Sequence, residues 1–340
     1  MAQIVEHQKA HFGLWKGEIR SVDPRDYRRG ELSDLWLPLR EKRWQYIGIY
    51  TEELIFGAAL VHASYVGNVF CYLYDRKREV FWEQERVAPL AAGIRVDRNV
   101  ARGVCSYVAE DERIRIDNDI DKGIRSVDLR LRAEGRTMRC SFEIQDSLET
   151  MTPLQVVTPT NGKDFTFTHK SAGMPVLGEI RLGEFRYHLN PKKDFAVLDM
   201  SFGYPAQQTE WNWASFAGFA DDGRRIGLNL VSPVFHEKFN ENAFWIDGEL
   251  IKLGCADFSY SETDKQWKIV SQGGEGQDAA VSFEMMFEPI GVREQDINYG
   301  VLVSRFQQPF GLFYGWILHR GTRICFTAAP GVVEEHFARW

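Results

Sequence analysis

A lone aspartate, Asp199, stands twelve and fourteen residues before two tryptophans, Trp211 and Trp213, that are themselves two apart. In an extended chain, residues two apart point the same way, so the two indoles share one side of a strand. A carboxyl group enclosed by aromatic rings loses hydration, which raises its pKa and holds the proton on it near neutrality. Such a neutral acid can protonate an alkene or a leaving group, and indole faces can stabilise the resulting cation. The same residues also suit a plainer role, a tryptophan-rich core with Asp199 at a strand end.

Further polar residues gather around this block. Asn229 lies on the return strand after the turn "DDGR" (221 to 224). If that hairpin closes without a bulge, Trp213 faces Leu230 and Ala214 faces Asn229, which puts Asn229 on the side away from the indoles. Tyr204, next to Pro205, is placed to bring a hydroxyl near Asp199 or to fix a strand end. Lys170, beside His169, Gln308 in "QQPFG", and Asn242 and Trp245 in "FNENAFWIDG" complete the candidate lining. Glu334 and His336 are two apart, so they meet only if their segment is extended.

The elements that must position these groups are strands. Segments 113–119, 126–135, 138–146 and 281–288 alternate apolar and polar residues, as half-buried antiparallel strands do. Gly- and Asp-rich turns separate them at intervals of about ten residues, which implies on the order of twenty strands, more than one compact barrel uses. Aromatic content of 13%, with 10 Trp and 23 Phe, agrees with pleated sheets around apolar cavities. Helical spacing is confined to the C-terminus, where Val333, Phe337 and Trp340 fall on one face, and to a second short helix near 293–300. The chain is therefore expected to be all-β, with lobes 1–178 and 179–340 packed side by side.

Composition narrows the function. A net charge of -7 over 340 residues disfavours nucleic acid and anionic membranes as partners. No apolar run is long enough to span a bilayer as a helix, and the N-terminus lacks a signal-peptide pattern, so a cytoplasmic location is expected. Five dispersed cysteines without metal spacing predict buried, reduced thiols, with neither disulfides nor zinc. The acid-rich 109–123 stretch does not fit an EF-hand, so no metal and no cofactor are expected. GxSxG, GxGxxG, P-loop and HExxH signatures are all missing.

The pattern "DMSFG" (199 to 203), then "WNW" (211 to 213) and the "DDGR" hairpin, resembles the superfamily of carotenoid 1,2-hydratases, tocopherol cyclases and related lipocalin-like cyclases. Over residues 10 to 340 the chain is most similar to the bacterial family called domain of unknown function 2804. "FTHKSAGMPVLGEI" (167 to 180), "NENAFWIDGEL" (240 to 250), "QQPFGLFYG" (307 to 315) and "GVVEEHFARW" (331 to 340) carry that likeness. The resemblance implies two lipocalin-like (calycin-type) β-barrel lobes, few helices, and an aspartate proposed as the acid in hydration or cyclisation of isoprenoids. Met200 stands where those enzymes typically carry histidine. The implied function is a cofactor-independent enzyme acting on a hydrophobic small molecule, by hydration, cyclisation or isomerisation of an alkene. Asp199 would be the proton donor, Trp211 and Trp213 the cation-stabilising wall, and Tyr204, Asn229 and Asn242 the positioning groups. A non-catalytic carrier of a hydrophobic ligand, or an interaction module using the tryptophan faces, are the competing expectations, in a monomer or homodimer.

Overall fold

The structure, a computed structural model, describes residues 4–17, 19, 22–23, 27–28, 35–133, 135–160, 164–234, 236–272, 281–298 and 303–339. Trp340, most of the basic run 25–30, the turn at 273–276 and the last two residues of the expected helix near 293–300 lie outside them. The architecture is all-β, as expected, and its described residues form two large curled antiparallel sheets side by side and a two-stranded pair, Val5–Glu6 with Lys9–Ala10. The alternating segments become strands that bury one face. Arg136–Gln145, for example, buries Met138, Cys140, Phe142 and Ile144 and exposes the residues between them.

The first sheet runs from Val80–Pro89 through Val66–Asp75, Leu54–His62, Lys42–Tyr50, Phe195–Gly203 and Asp164–Leu182, and then curls on through Arg136–Gln145. Its hub is the 19-residue strand Asp164–Leu182, whose first half pairs with Leu154–Thr160 and Phe195–Gly203 and whose second half pairs with Arg136–Gln145. A bulge between Ala172 and Met174, with Gly173 at φ +86°, lets one strand serve both neighbourhoods. The expected lobe boundary at 178/179 falls inside this strand; the change of sheet comes between Gly203 and Gln208. Among the described residues the second sheet has nine strands, with Gln208–Phe219, Thr322–Arg339 and Val303–His319 at its centre.

Two expectations are corrected. Both proposed helices are strand: 293–298 ends the strand Val281–Asn298, and 333–339 ends Thr322–Arg339. The latter pairs on both sides, with Gln208–Phe219 and Val303–His319, so its backbone groups are claimed by two ladders and helical spacing is overridden. Among the described residues, helix is limited to Leu37–Arg40 and the 3-10 turn Glu237–Phe239. The hairpin register also differs. Ala220 N–H donates to Arg224 O, and the three residues between end in Gly223 at φ +85°. This odd loop shifts the pairing by one, so Trp213 faces Val231 and Ser215 faces Asn229. Asn229 therefore shares the indole face.

Cys71, Cys105 and Cys140 are buried thiols; Cys255 is half-buried and Cys325, outward on its strand, is exposed. No described helix is long and apolar enough to cross a membrane.

The sheets approach closely where Gly227 meets the Asp164–Leu182 strand: a Cβ there would lie 2.3 Å from the backbone C and O of Ala172. Gly227→Ala is expected to destabilise by about 1–3 kcal/mol, whereas Gly218→Ala, whose new methyl would find its nearest atoms at 3.7 Å, leaves stability nearly unchanged. Urea unfolding of both variants measures the difference.

Candidate functional site

Period-two alternation turns Thr166, Thr168 and Lys170 to the same side of their strand, toward the second sheet. Antiparallel pairing sets Asp199 directly opposite Lys170 and Ser201 opposite Thr168. The next strand sets Tyr46 opposite Asp199 and Trp44 opposite Ser201, and two further strands add Ala59 and Phe70. One row, Lys170–Asp199–Tyr46–Ala59–Phe70, thus crosses five strands. The facing wall comes from the second sheet, where Trp213 lies opposite Glu334, and Trp211 opposite His336, which lies opposite Phe306. The walls touch through Tyr46 edge-on to Trp213 (5.6 Å) and Phe70 against Phe306 (6.3 Å). Between them is a cavity of about 190 Å³.

Lys170 is the electrostatic centre. Its Nζ is 3.0 Å from Asp199 Oδ2 and 2.8 Å from Glu241 Oε2, and 5.7 Å from the Trp213 ring centroid. Burial alone would strip its proton, but the two carboxylates outweigh burial and hold its pKa above the usual lysine value. For Asp199 the balance is opposite. Burial is the largest single influence and raises its pKa, Lys170 opposes the rise, and with Glu241 and Glu334 adding to it the net shift is upward. Its side chain keeps 15% exposure, toward the cavity it lines. Ser201 Oγ donates to Asp199 Oδ1 at 3.3 Å, and Thr168 Oγ1 donates to Glu241 Oε1 at 3.2 Å.

On the facing wall, Glu334 accepts from Trp211 Nε1 (3.0 Å) and Gln308 Nε2 (2.9 Å), with His336 Nδ1 at 3.6 Å. Behind the indoles, Trp213 Nε1 donates to Asn229 Oδ1 at 2.7 Å, and Asn229 Nδ2 donates to Glu241 O at 2.7 Å. Asn229 thereby ties the aromatic wall to the loop that supplies Glu241. Asn229→Ala leaves a buried indole N–H without its acceptor, and is expected to destabilise by about 1–3 kcal/mol in chemical denaturation.

Of the candidate residues, Lys170, Asp199, Trp211, Trp213 and Gln308 line one cavity, with Asn229 directly behind. Three are elsewhere. Tyr204 is even-numbered, like Met200 and Phe202, so it turns from the face of Asp199; it stacks on Tyr27 (5.5 Å) and meets Phe165 edge-on. Trp245 donates through Nε1 to Thr152 O, away from the cavity. Asn242 braces backbone, accepting from Val231 N–H and donating to Gly254 O. His169, adjacent to Lys170, faces the opposite way, where burial and Arg125 push its pKa down to about 3 and keep it neutral.

Glu241, Tyr46, Trp44, Phe70 and Phe306 were not singled out by sequence. On the second wall the Glu334/His336 spacing is a visible signal beside Trp211, Trp213 and Gln308, and the extended C-terminal strand brings both residues to the cavity. Among the described residues, no three His, Cys, Asp or Glu side chains form a group able to hold a metal.

Residues 8–340 match the family described as Domain of unknown function (DUF2804). A putative AttH from Nitrosomonas europaea shares the fold at 15% identity and a TM-score of 0.55, over 98% of this chain and 99% of that one. CghA, crystallised with Sch210972, does so at 11% identity and a TM-score of 0.54, over 98% and 97%. No curated protein matches the chain.

Proposed function

The chain belongs to the DUF2804 family, and from its cavity we propose that it is an enzyme using Asp199 as a general acid on an apolar, alkene-bearing small molecule. One observation carries this reading: a carboxyl with raised proton affinity lines an aromatic cavity between the two sheets, opposite a lysine in register. Lys170 occupies Asp199 Oδ2, which leaves Oδ1, beside Ser201, to hold the transferable proton. Transfer forms a C–H bond and leaves a carbocation, faced by Tyr46, Trp211 and Trp213. As the proton leaves, the new carboxylate gains its full ion pair with Lys170, so the pair is stronger after transfer than before. Water, an internal nucleophile or loss of a neighbouring proton then gives hydration, cyclisation or isomerisation. The step consumes no redox partner.

The test is to purify wild-type protein and Asp199→Asn with whatever each retains and to identify the ligands by mass spectrometry. The variant is expected to accumulate a precursor that the wild type holds as an isomer or as its hydrate. Identical ligand profiles would overturn catalysis and leave a carrier.

A further inference from the structure

We propose that the alkene-bearing ligand of this cavity carries, at one end of its apolar body, a protonated amine seated on Glu334 among aromatic rings, and that the cavity rejects anionic molecules. The inference rests on the cavity being the ligand site, as in the proposed function, and adds the ligand's charge.

The buried charges around the cavity differ in whether this chain already supplies their partners. Lys170 is shared between Asp199 and Glu241. One strand beyond Gln308, the buried guanidinium of Arg293 is likewise held by two carboxylates, Glu83 (2.7 Å) and Glu85 (3.4 Å). Each of these buried cations is therefore already engaged by carboxylates of this chain. Glu334 is different. It is 8% exposed, and its contacts among the described residues are two neutral donors, Trp211 and Gln308, and the imidazole of His336. Even when Asp199 carries the proton that the proposed function requires, Glu241 and Glu334 set two carboxylates against one ammonium on the cavity wall.

The rings around Glu334 favour the same sign of ligand. Trp211 and Trp213 flank it on the neighbouring strand and Tyr46 meets Trp213 edge-on from the facing wall, while Phe70 and Phe306 already hold the Arg293 guanidinium, 4.0 and 4.9 Å from their ring centroids. Aromatic faces carry partial negative charge and attract cations in desolvated sites, most strongly alkylammonium groups. A carboxylate at the base of such a cage adds a charge-assisted hydrogen bond to an N–H donor. A ligand carboxylate or phosphate would instead meet the surplus negative charge at low dielectric, with Lys170 and Arg293 already engaged.

The experiment is titration calorimetry with three probes of equal chain length, octylammonium, 1-octanol and octanoate, at about pH 7 where the amine and acid are charged. Octylammonium is expected to bind the wild type at least about tenfold tighter than octanoate. Glu334→Gln keeps an acceptor for Trp211 and is expected to weaken octylammonium about tenfold, while 1-octanol changes less than about twofold. Trp211→Leu removes the ring beside Glu334 and is expected to weaken octylammonium about threefold more than 1-octanol. Octanoate binding as tightly as octylammonium, no binding of octylammonium, or an unchanged amine-to-alcohol ratio in both variants would overturn the proposal. Asp199→Asn should keep the wild-type order of the three probes. A failure of conversion in that variant therefore concerns the acid, and a failure of charge preference concerns Glu334.

Discussion

Lys170→Met is expected to lower the unfolding free energy by about 3–5 kcal/mol, among the largest effects of any single side chain in this protein. The ammonium is buried and holds two carboxylates at 3.0 and 2.8 Å. Removing it leaves Asp199 and Glu241 facing each other across an aromatic cavity with no counter-charge. Removing all three charges should restore most of the loss, because a cluster replaced as a whole leaves no orphan. Urea unfolding of Lys170→Met and of the triple variant with Asp199→Asn and Glu241→Gln checks this. A single variant within about 1 kcal/mol of wild type would mean that the cluster is not desolvated. The pH dependence has a definite sign. Lys170 has its pKa raised on folding, so its contribution is fully present below the unfolded value of about 10.4 and is lost as pH rises through the folded value.

Asp199→Asn should behave in the opposite way, with turnover falling by about 10²–10⁴ while the fold holds or gains. The substrate for this measurement is the precursor retained by the variant itself. Asp199 has its pKa raised on folding, so its ionisation opposes folding above the folded value and ceases to matter below the unfolded value of about 3.9. The asparagine variant should therefore match or exceed the wild type in thermal stability near neutrality, with the difference closing as pH falls toward that value. Loss of activity together with equal or greater stability is the signature of a strained functional group. Turnover within about tenfold of wild type would remove Asp199 from the acid role.

The strands with clear alternation, such as 113–119, 138–146 and 281–288, and the side to which their residues turn were legible because alternation is a local property. Trp211 and Trp213 share a face wherever their strand goes, and so do Glu334 and His336 once that segment is extended. The all-β character and the two-lobed organisation follow from the same local periodicity, together with the "DMSFG", "WNW" and "DDGR" stretches that carry the family likeness.

Contacts between strands were not legible. Tyr46, Lys170 and Asp199 occupy adjacent places in one row although more than a hundred residues separate the first from the other two. One loop residue, Gly223, moved Asn229 from the far face to the indole face. Parity sent Tyr204 to the wrong side for a site residue, and a loop outside any strand supplied Glu241. The C-terminal segment became strand because two neighbouring ladders compete for its backbone, which no local preference encodes. By itself, then, the sequence determined which side chains share a face, since side-chain direction repeats every two residues along one chain. Only the tertiary structure decided that an acid, its lysine and an aromatic wall face one another, because pairing between distant strands depends on the packing of the whole sheet.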